Sequence, residues 1–210
     1  MAFTLQNALD YAKSMELVAA YYRDRPGRNF LSLGDMALIP LLRELPWDHC
    51  GTLAGEKTWS LAADTHAYAF TTTDKFMGSL EALLVYWDAD YTDAKRVDVV
   101  GLGAEADLVS EERGDEEQPE AVVDGQTIRL YPAPGVATGK LEAHYKKRAT
   151  AFGAMGDSIQ VSDDAFLALV YHLGSFLVDK PEIAGSLAAL GKAEALNLRD
   201  TVRRKLVIKD

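Results

Sequence analysis

The sequence predicts an α+β fold in which the terminal helices pack as a helical bundle and a central antiparallel β-sheet forms a lobe of its own. Three observations predict it. Near both ends apolar residues recur at intervals of three and four; in the middle Thr127, Arg129 and Tyr131 alternate with Ile128 and Leu130; and from Thr52 onward the composition shifts to Thr, Ala, Tyr and other aromatic residues. On this reading residues 1–50 and 155–210 make the helical part of a single chain unit, and residues 52–148 make the β-rich lobe.

Thr4 is placed to cap a first helix whose apolar positions are Leu5, Ala8, Leu9, Ala12, Met15, Val18, Ala19 and Tyr22, with Arg25-Pro26-Gly27 ending it. A second helical pattern runs through Met36, Ile39, Leu42 and Leu45 to Pro46; Pro40 either kinks it or marks its true first turn. Thr58-Trp59-Ser60-Leu61 and Tyr68-Ala69-Phe70 read as short strands separated by Asp64-Thr65. Leu80 to Trp87 suits either element by periodicity, and the polar stop at Asp88-Ala89-Asp90 favours a strand. Val97 to Leu102 is a further apolar run. After it, eight carboxylates and a single Arg113 crowd between Glu105 and Glu120, a density of like charge that resists packing and predicts a mobile loop or a solvated helix edge.

Asp124-Gly125 is a turn signal, so Ala121-Val122-Val123 is expected to pair with Thr127 to Tyr131 in a tight antiparallel hairpin. Pro132-Ala133-Pro134-Gly135 stops that strand and Leu141, Ala143 and Tyr145 restart the alternation, which predicts a second pair of strands around the turn. Helix then returns. Ser162 or Asp163 caps a run with Phe166, Leu169, Val170, Leu173, Phe176 and Leu177 on one side, and His172 falls beside that stripe as a boundary residue. Pro181 suits a first helical position, and Ile183, Leu187, Leu190, Ala193, Ala195, Leu198 and Val202 carry the last helix to a basic tail.

The 210 residues are 48% hydrophobic, enough for one buried core or two small lobes. A formal net charge of -10 repels phosphate backbones on average and disfavours tight, sequence-independent DNA binding. Cys50 is a lone cysteine, so no intramolecular disulfide forms, and His49, His66, His144 and His172 lack metal-ligand spacing. No basic and apolar leader opens the chain, and no run approaches the roughly 18 apolar residues that span a bilayer. A protein of a reducing compartment, without a membrane partner, is expected.

Few residues suggest chemistry. Val97 to Ala106 matches a strand followed by a G-x-G-x-x-A fingerprint, whose Gly101 and Gly103 would bring a dinucleotide pyrophosphate close to the backbone. The acidic cluster downstream and the lack of an evident parallel βαβ unit favour a plain glycine-rich turn. His49-Cys50 reads as a buried thiol beside a partly exposed imidazole, since adjacent side chains rarely face each other. Asp157, Asp163 and Asp164 read as caps before a carboxylate or metal site. Trp47, Trp59 and Trp87 read as packing residues or partner anchors. No catalytic, cofactor-binding or metal-binding residue is assigned, and no cofactor is expected.

The run Pro119 to Pro134, then Leu141-Glu142-Ala143-His144-Tyr145-Lys146-Lys147, then the link from Asp157 into a long helix, resembles the head-to-tail adaptor (neck or connector) proteins of tailed bacteriophages, including the tubular gatekeeper type. The shared order is turn, strand, Tyr-Pro-x-Pro, strand, Tyr, short loop, helix. The acidic insert near Glu111 to Glu117 and the Met36 to Trp47 segment depart from it. The resemblance implies a non-enzymatic virion component of the neck between capsid and tail, assembled in the host cytoplasm. Its copies would form a ring, commonly of twelve, that binds the portal protein and tail or nozzle proteins and extends the channel through which DNA passes. A ring needs a heterologous interface. The candidate portal-facing surface is Arg199, Arg203, Arg204, Lys205, Leu206, Val207 and Ile208. Two other readings stay open: a dinucleotide-binding enzyme built on Gly101 and Gly103, and a protein-interaction domain of a cellular complex.

Overall fold

Helices occupy both ends of the chain and strands fill its middle, giving the α+β class. The computed structural model describes residues 3–16, 28–104, 116–135 and 137–207. The chain divides into two compact units: Met1–Leu53 with Ala149–Asp210, and Ala54–Arg148.

In the helical unit, α1 spans Leu5–Ser14. Its start is a reciprocal capping box: Thr4 Oγ1 accepts from the Asn7 N–H at 3.2 Å, and Asn7 Oδ1 accepts from the Thr4 N–H at 2.9 Å. Leu5, Ala8, Leu9 and Ala12 are buried on one side. The helix ends earlier than the apolar pattern predicts. Glu16 takes the left-handed conformation, φ 57°, and donates its N–H to the Lys13 carbonyl, which closes the last turn; Val18, Ala19 and Tyr22 lie outside the described residues.

The second helix, α2, spans Arg28–Glu44 with Pro40 in its interior, so Pro40 is neither its first turn nor its end. Its buried face is Phe30, Ala37, Leu38, Leu41 and Leu42, followed by Leu45, whereas Met36 and Ile39 are about half exposed. The Pro40 ring removes the hydrogen bond to the Met36 carbonyl, and Met36 sits on the exposed side, where water can satisfy that group.

A one-turn 3-10 helix, Asp163–Ala165, leads into α3, Phe166–Leu177. This helix packs against α1, α2 and α4, the last of which spans Pro181–Val207 with Pro181 at its first position. Three neighbours leave α3 little free surface. Ala168, Leu169, Val170, His172, Leu173, Gly174 and Leu177 are all buried, so His172 is a core residue and not the boundary residue its sequence position suggests. On α4, Leu187 and Ala195 are buried, but Ile183 and Leu190, expected on the same apolar face, are exposed.

The other unit holds eight described strands: β1 Ala54–Ser60, β2 Ala67–Ala69, β3 Phe76–Tyr86, β4 Ala94–Arg96, β5 Asp98–Val100, β6 Glu120–Asp124, β7 Thr127–Tyr131 and β8 Lys140–Lys147. They form two four-stranded sheets, ordered β1-β8-β3-β4 and β2-β7-β6-β5. Inward residues of both sheets share one apolar core that includes Leu83, Val85, Leu141, Ala143 and Tyr145 from the first and Tyr68, Ala121, Ile128 and Leu130 from the second. The first and last strands are partners, with Ala54 opposite Lys146.

The expected hairpin is present: β6 and β7 pair antiparallel, Val123 opposite Ile128 and Asp124 opposite Thr127, with Gly125 at φ 59° in the turn. The pairing expected next is not. β7 and β8 are consecutive but lie in different sheets, because Pro132 and Pro134 have no N–H to extend a ladder and the chain between the strands crosses from one sheet to the other. One further pair departs from an antiparallel lobe: β5 runs parallel to β6, Val99 opposite Ala121.

Candidate functional site

The long α4 carries the basic tail. Its 27 residues extend about 40 Å at the helical rise. Arg199 is half-buried on this helix. Arg203, Arg204, Lys205, Leu206 and Val207 belong to its final turns, and Ile208 lies outside the described residues. Gly191 fixes how α4 meets α3, since a Cβ built there would lie 2.8 Å from His172 Cδ2. The His172 Nε2 is buried without a hydrogen-bond partner. Burial lowers the imidazole pKa below its ordinary value, and the nearby Glu44 carboxylate opposes that shift only in part.

Among the described residues, the glycine turn after β5 opens no α-helix. A 3-10 turn of three residues, Leu102–Ala104, follows it, and a Cβ at Gly101 or Gly103 would meet nothing within 4 Å. The acidic residues Glu105 to Asp115 lie outside the described residues; Glu117 binds Lys95 at 2.7 Å, and Lys95 also reaches Asp93 at 3.1 Å.

His49 and Cys50 point to different partners. Cys50 is fully buried with its thiol 3.4 Å from the Pro46 carbonyl, while His49 Nδ1 lies 3.3 Å from Ser162 Oγ and 3.5 Å from Asp164 Oδ2. Asp157 caps a loop turn: its Oδ2 accepts from the N–H groups of Gly153 at 2.7 Å and Ala154 at 2.9 Å. Of the two expected caps, Ser162 makes no side-chain capping bond, and Asp163 lies inside the 3-10 turn with its Oδ1 3.5 Å from the Phe3 N–H. Trp59 Nε1 donates to the Ala69 carbonyl and Trp87 Nε1 to the Glu116 carbonyl.

One charged arrangement was not singled out from sequence. On β8, Lys140, Glu142 and His144 alternate with the buried Leu141, Ala143 and Tyr145, and so share the outer face of the first sheet. Lys140 Nζ donates to Glu142 Oε2 at 2.7 Å, and His144 Nε2 lies 3.0 Å from Glu142 Oε1. The Lys140 ammonium also sits 4.4 Å from the Tyr86 ring centre. The hydrogen bond from Lys140, with a second from His144, lowers the Glu142 pKa, and the same bond raises that of Lys140. Across β1 the ladder faces Ser60, Thr58 and Glu56, and across β3 it faces Tyr86, Leu84 and Ala82. The signal was the Lys-x-Glu-x-His spacing within a period-two strand, which places all three charges on one side.

Among the described residues no group of His, Cys, Asp and Glu is arranged to hold a metal ion, and no helix is long and apolar enough to cross a membrane. What the two units offer is surface: a 27-residue helix with exposed Ile183 and Leu190, and a sheet face carrying a ladder of paired charges. Nothing among the curated proteins matches the chain. The family model described as SU10 adaptor protein matches residues 9–207, running through both units, and the chain therefore belongs to the SU10 adaptor protein family of phage structural components.

Proposed function

We propose that the protein is a head-to-tail adaptor of the tubular gatekeeper type, with copies assembling into a ring, of twelve by the resemblance, that joins the portal to tail or nozzle proteins in the virion neck and prolongs the DNA channel. The family match over residues 9–207 carries this reading. Physical chemistry supports it. A subunit of net charge -10 can surround passing DNA without gripping it, and two dissimilar units supply the two different faces that a closed ring needs. The end of α4, with Arg199, Arg203, Arg204, Lys205, Leu206 and Val207, together with Ile208 that follows in sequence, would face the portal, its cations complementing the helix C-terminus and an acidic neighbour.

The test is electron microscopy of the purified protein mixed with its portal. A ring seated on the portal is expected; a protein that stays monomeric and unbound overturns the reading. A chain truncated after Arg199 is expected to dock at least roughly ten-fold more weakly. Docking with unchanged affinity would move the portal contact elsewhere.

A further inference from the structure

Four of the ten large apolar side chains exposed among the described residues gather in two stripes on the helical unit. Met36 and Ile39 on α2 are 46% and 50% exposed, and Ile183 and Leu190 on α4 are 43% and 46% exposed. Each pair belongs to a row with the spacing of a helix-packing seam. Ser32, Met36, Ile39 and Arg43 are exposed at intervals of four and three, and Ile183, Ser186, Leu190 and Ala193 at intervals of three and four.

Within one copy these stripes do not meet. Lys192 reaches Glu44 of α2 at 3.5 Å, which marks the side of α4 nearest α2. At 3.6 residues per turn, Ile183 and Leu190 lie about 180° and 160° around α4 from Lys192. Gly191, between the two sides, is closed against His172 of α3. The α4 stripe therefore opens away from the α2 helix of its own chain, and the α2 stripe of that copy does not reach it.

The stripes match in charge as well as in spacing. Arg43 stands in the last turn of α2 and Glu182 in the first turn of α4; both are exposed, and neither has an ion-pair partner among the described residues. An antiparallel crossing brings this pair together and sets a register. Ile39, four residues before Arg43, then comes level with Ser186, in the gap between Ile183 and Leu190, and Met36, seven before Arg43, comes within one residue of Leu190. Ser186 and Ala193 are small enough for close approach. The Ser186 hydroxyl already donates to the Glu182 carbonyl at 2.9 Å, so covering it strands no polar group.

We propose that α2 of one copy packs antiparallel on α4 of the next, with Met36 and Ile39 seated around Ile183 and Leu190 and with Arg43 meeting Glu182. The contact is heterologous: each copy offers a different stripe to each neighbour, the arrangement from which rings close. It deepens the ring reading by naming the helices that meet, and rests on that reading for closure.

The test is sedimentation velocity of the full-length chain and two surface variants. Ile39→Asp removes the α2 stripe and keeps that of α4; Leu190→Asp does the reverse. Concentration-dependent association of the wild type is expected, weakened roughly ten-fold or more in each variant alone. An equimolar mixture of the two variants is expected to form a one-to-one pair and to stop there, because a single intact contact remains. Arg43→Glu should weaken association roughly three-fold, and adding Glu182→Arg should recover it. Circular dichroism checks that each variant folds. A wild-type chain that stays monomeric overturns the proposal, as does a variant mixture that fails to pair, or self-association of Ile39→Asp at wild-type strength, the mark of two α4 stripes meeting each other. A ring seen on the portal by electron microscopy but built through other surfaces removes this contact and leaves the adaptor reading standing; pairing through these helices with no ring on the portal does the opposite.

Discussion

The imidazole of His172 on α3 lies against Gly191 on α4, so closely that a Cβ at Gly191 would stand 2.8 Å from Cδ2 and 2.9 Å from Nε2. The two helices meet where one residue has no side chain and the other fills the space. A larger residue at Gly191 must displace a buried ring. We expect Gly191→Val to destabilise the protein by about 1–3 kcal/mol, the range for overpacking a tight core. Thermal denaturation would register a lower midpoint, and His172→Ala in the same chain should recover part of the loss.

The same ring makes stability depend on pH. Burial holds the folded-state pKa of His172 below its ordinary value, with Glu44 offsetting part of the shift. The unfolded chain therefore binds a proton at higher pH than the folded chain. The contribution is fully present above the unfolded value, near 6.5, and is lost as pH falls toward the folded value. Urea unfolding across mildly acidic pH should show stability falling with acid, and His172→Leu should flatten that slope.

Asp74 acts at lower pH. Burial pushes its carboxyl up, but the Thr71 N–H at 2.6 Å, the Thr71 hydroxyl at 2.8 Å and the Lys57 ammonium at 3.2 Å outweigh that and lower its pKa. A depressed folded value means that this stability is present above the unfolded value of 3.8 and disappears as pH drops through the folded one. Asp74→Ala should cost about 1–3 kcal/mol at neutral pH by leaving the Thr71 donors and Lys57 without their acceptor. Chemical denaturation of wild type and variant should converge at strongly acidic pH.

Glycines in the sheet unit should differ sharply. Gly125 has φ 59° in the β6–β7 turn, a conformation that costs a side chain about 1–2 kcal/mol even though nothing crowds it. Gly101 and Gly103 have open space and no such backbone demand. Gly125→Val should lower the melting midpoint, while Gly101→Ala and Gly103→Ala should leave it within measurement error.

Local signals in the sequence carried far. The Thr4 cap, Pro181 at the head of α4 and the Asp124-Gly125 hairpin each depend on residues a few positions apart and stand where the spacing puts them, and the strand expected over Leu80 to Trp87 is present but runs from Phe76 to Tyr86. Choices made across the fold were not legible. The alternation in Thr127 to Tyr131 and in Leu141 to Tyr145 identified two strands without identifying their partners, and proximity in sequence suggested the wrong pairing. Likewise the α3 stripe marked Leu169 and Leu173 as core, but only the three helices around α3 bury His172. Ile183 and Leu190 follow helical apolar spacing and yet face outward, because the packed side of α4 is set by Gly191, Leu187 and Ala195. The Lys140, Glu142 and His144 ladder was present in the spacing; its meaning emerged only when β1 and β3 flanked β8 and gave that face its neighbours.

The strand that opens the sheet unit and the strand that closes it are hydrogen-bonded neighbours, so the chain departs from the helices and rejoins them at doorways one ladder rung apart. Such a module is detachable in principle: a short bridge from residue 53 to residue 149 would span the excised gap, and the removed piece could be grafted into a loop of another host. For a lineage of virion parts this geometry is an evolutionary opportunity, because one half can be exchanged for a foreign one while the framework that receives it keeps its own register.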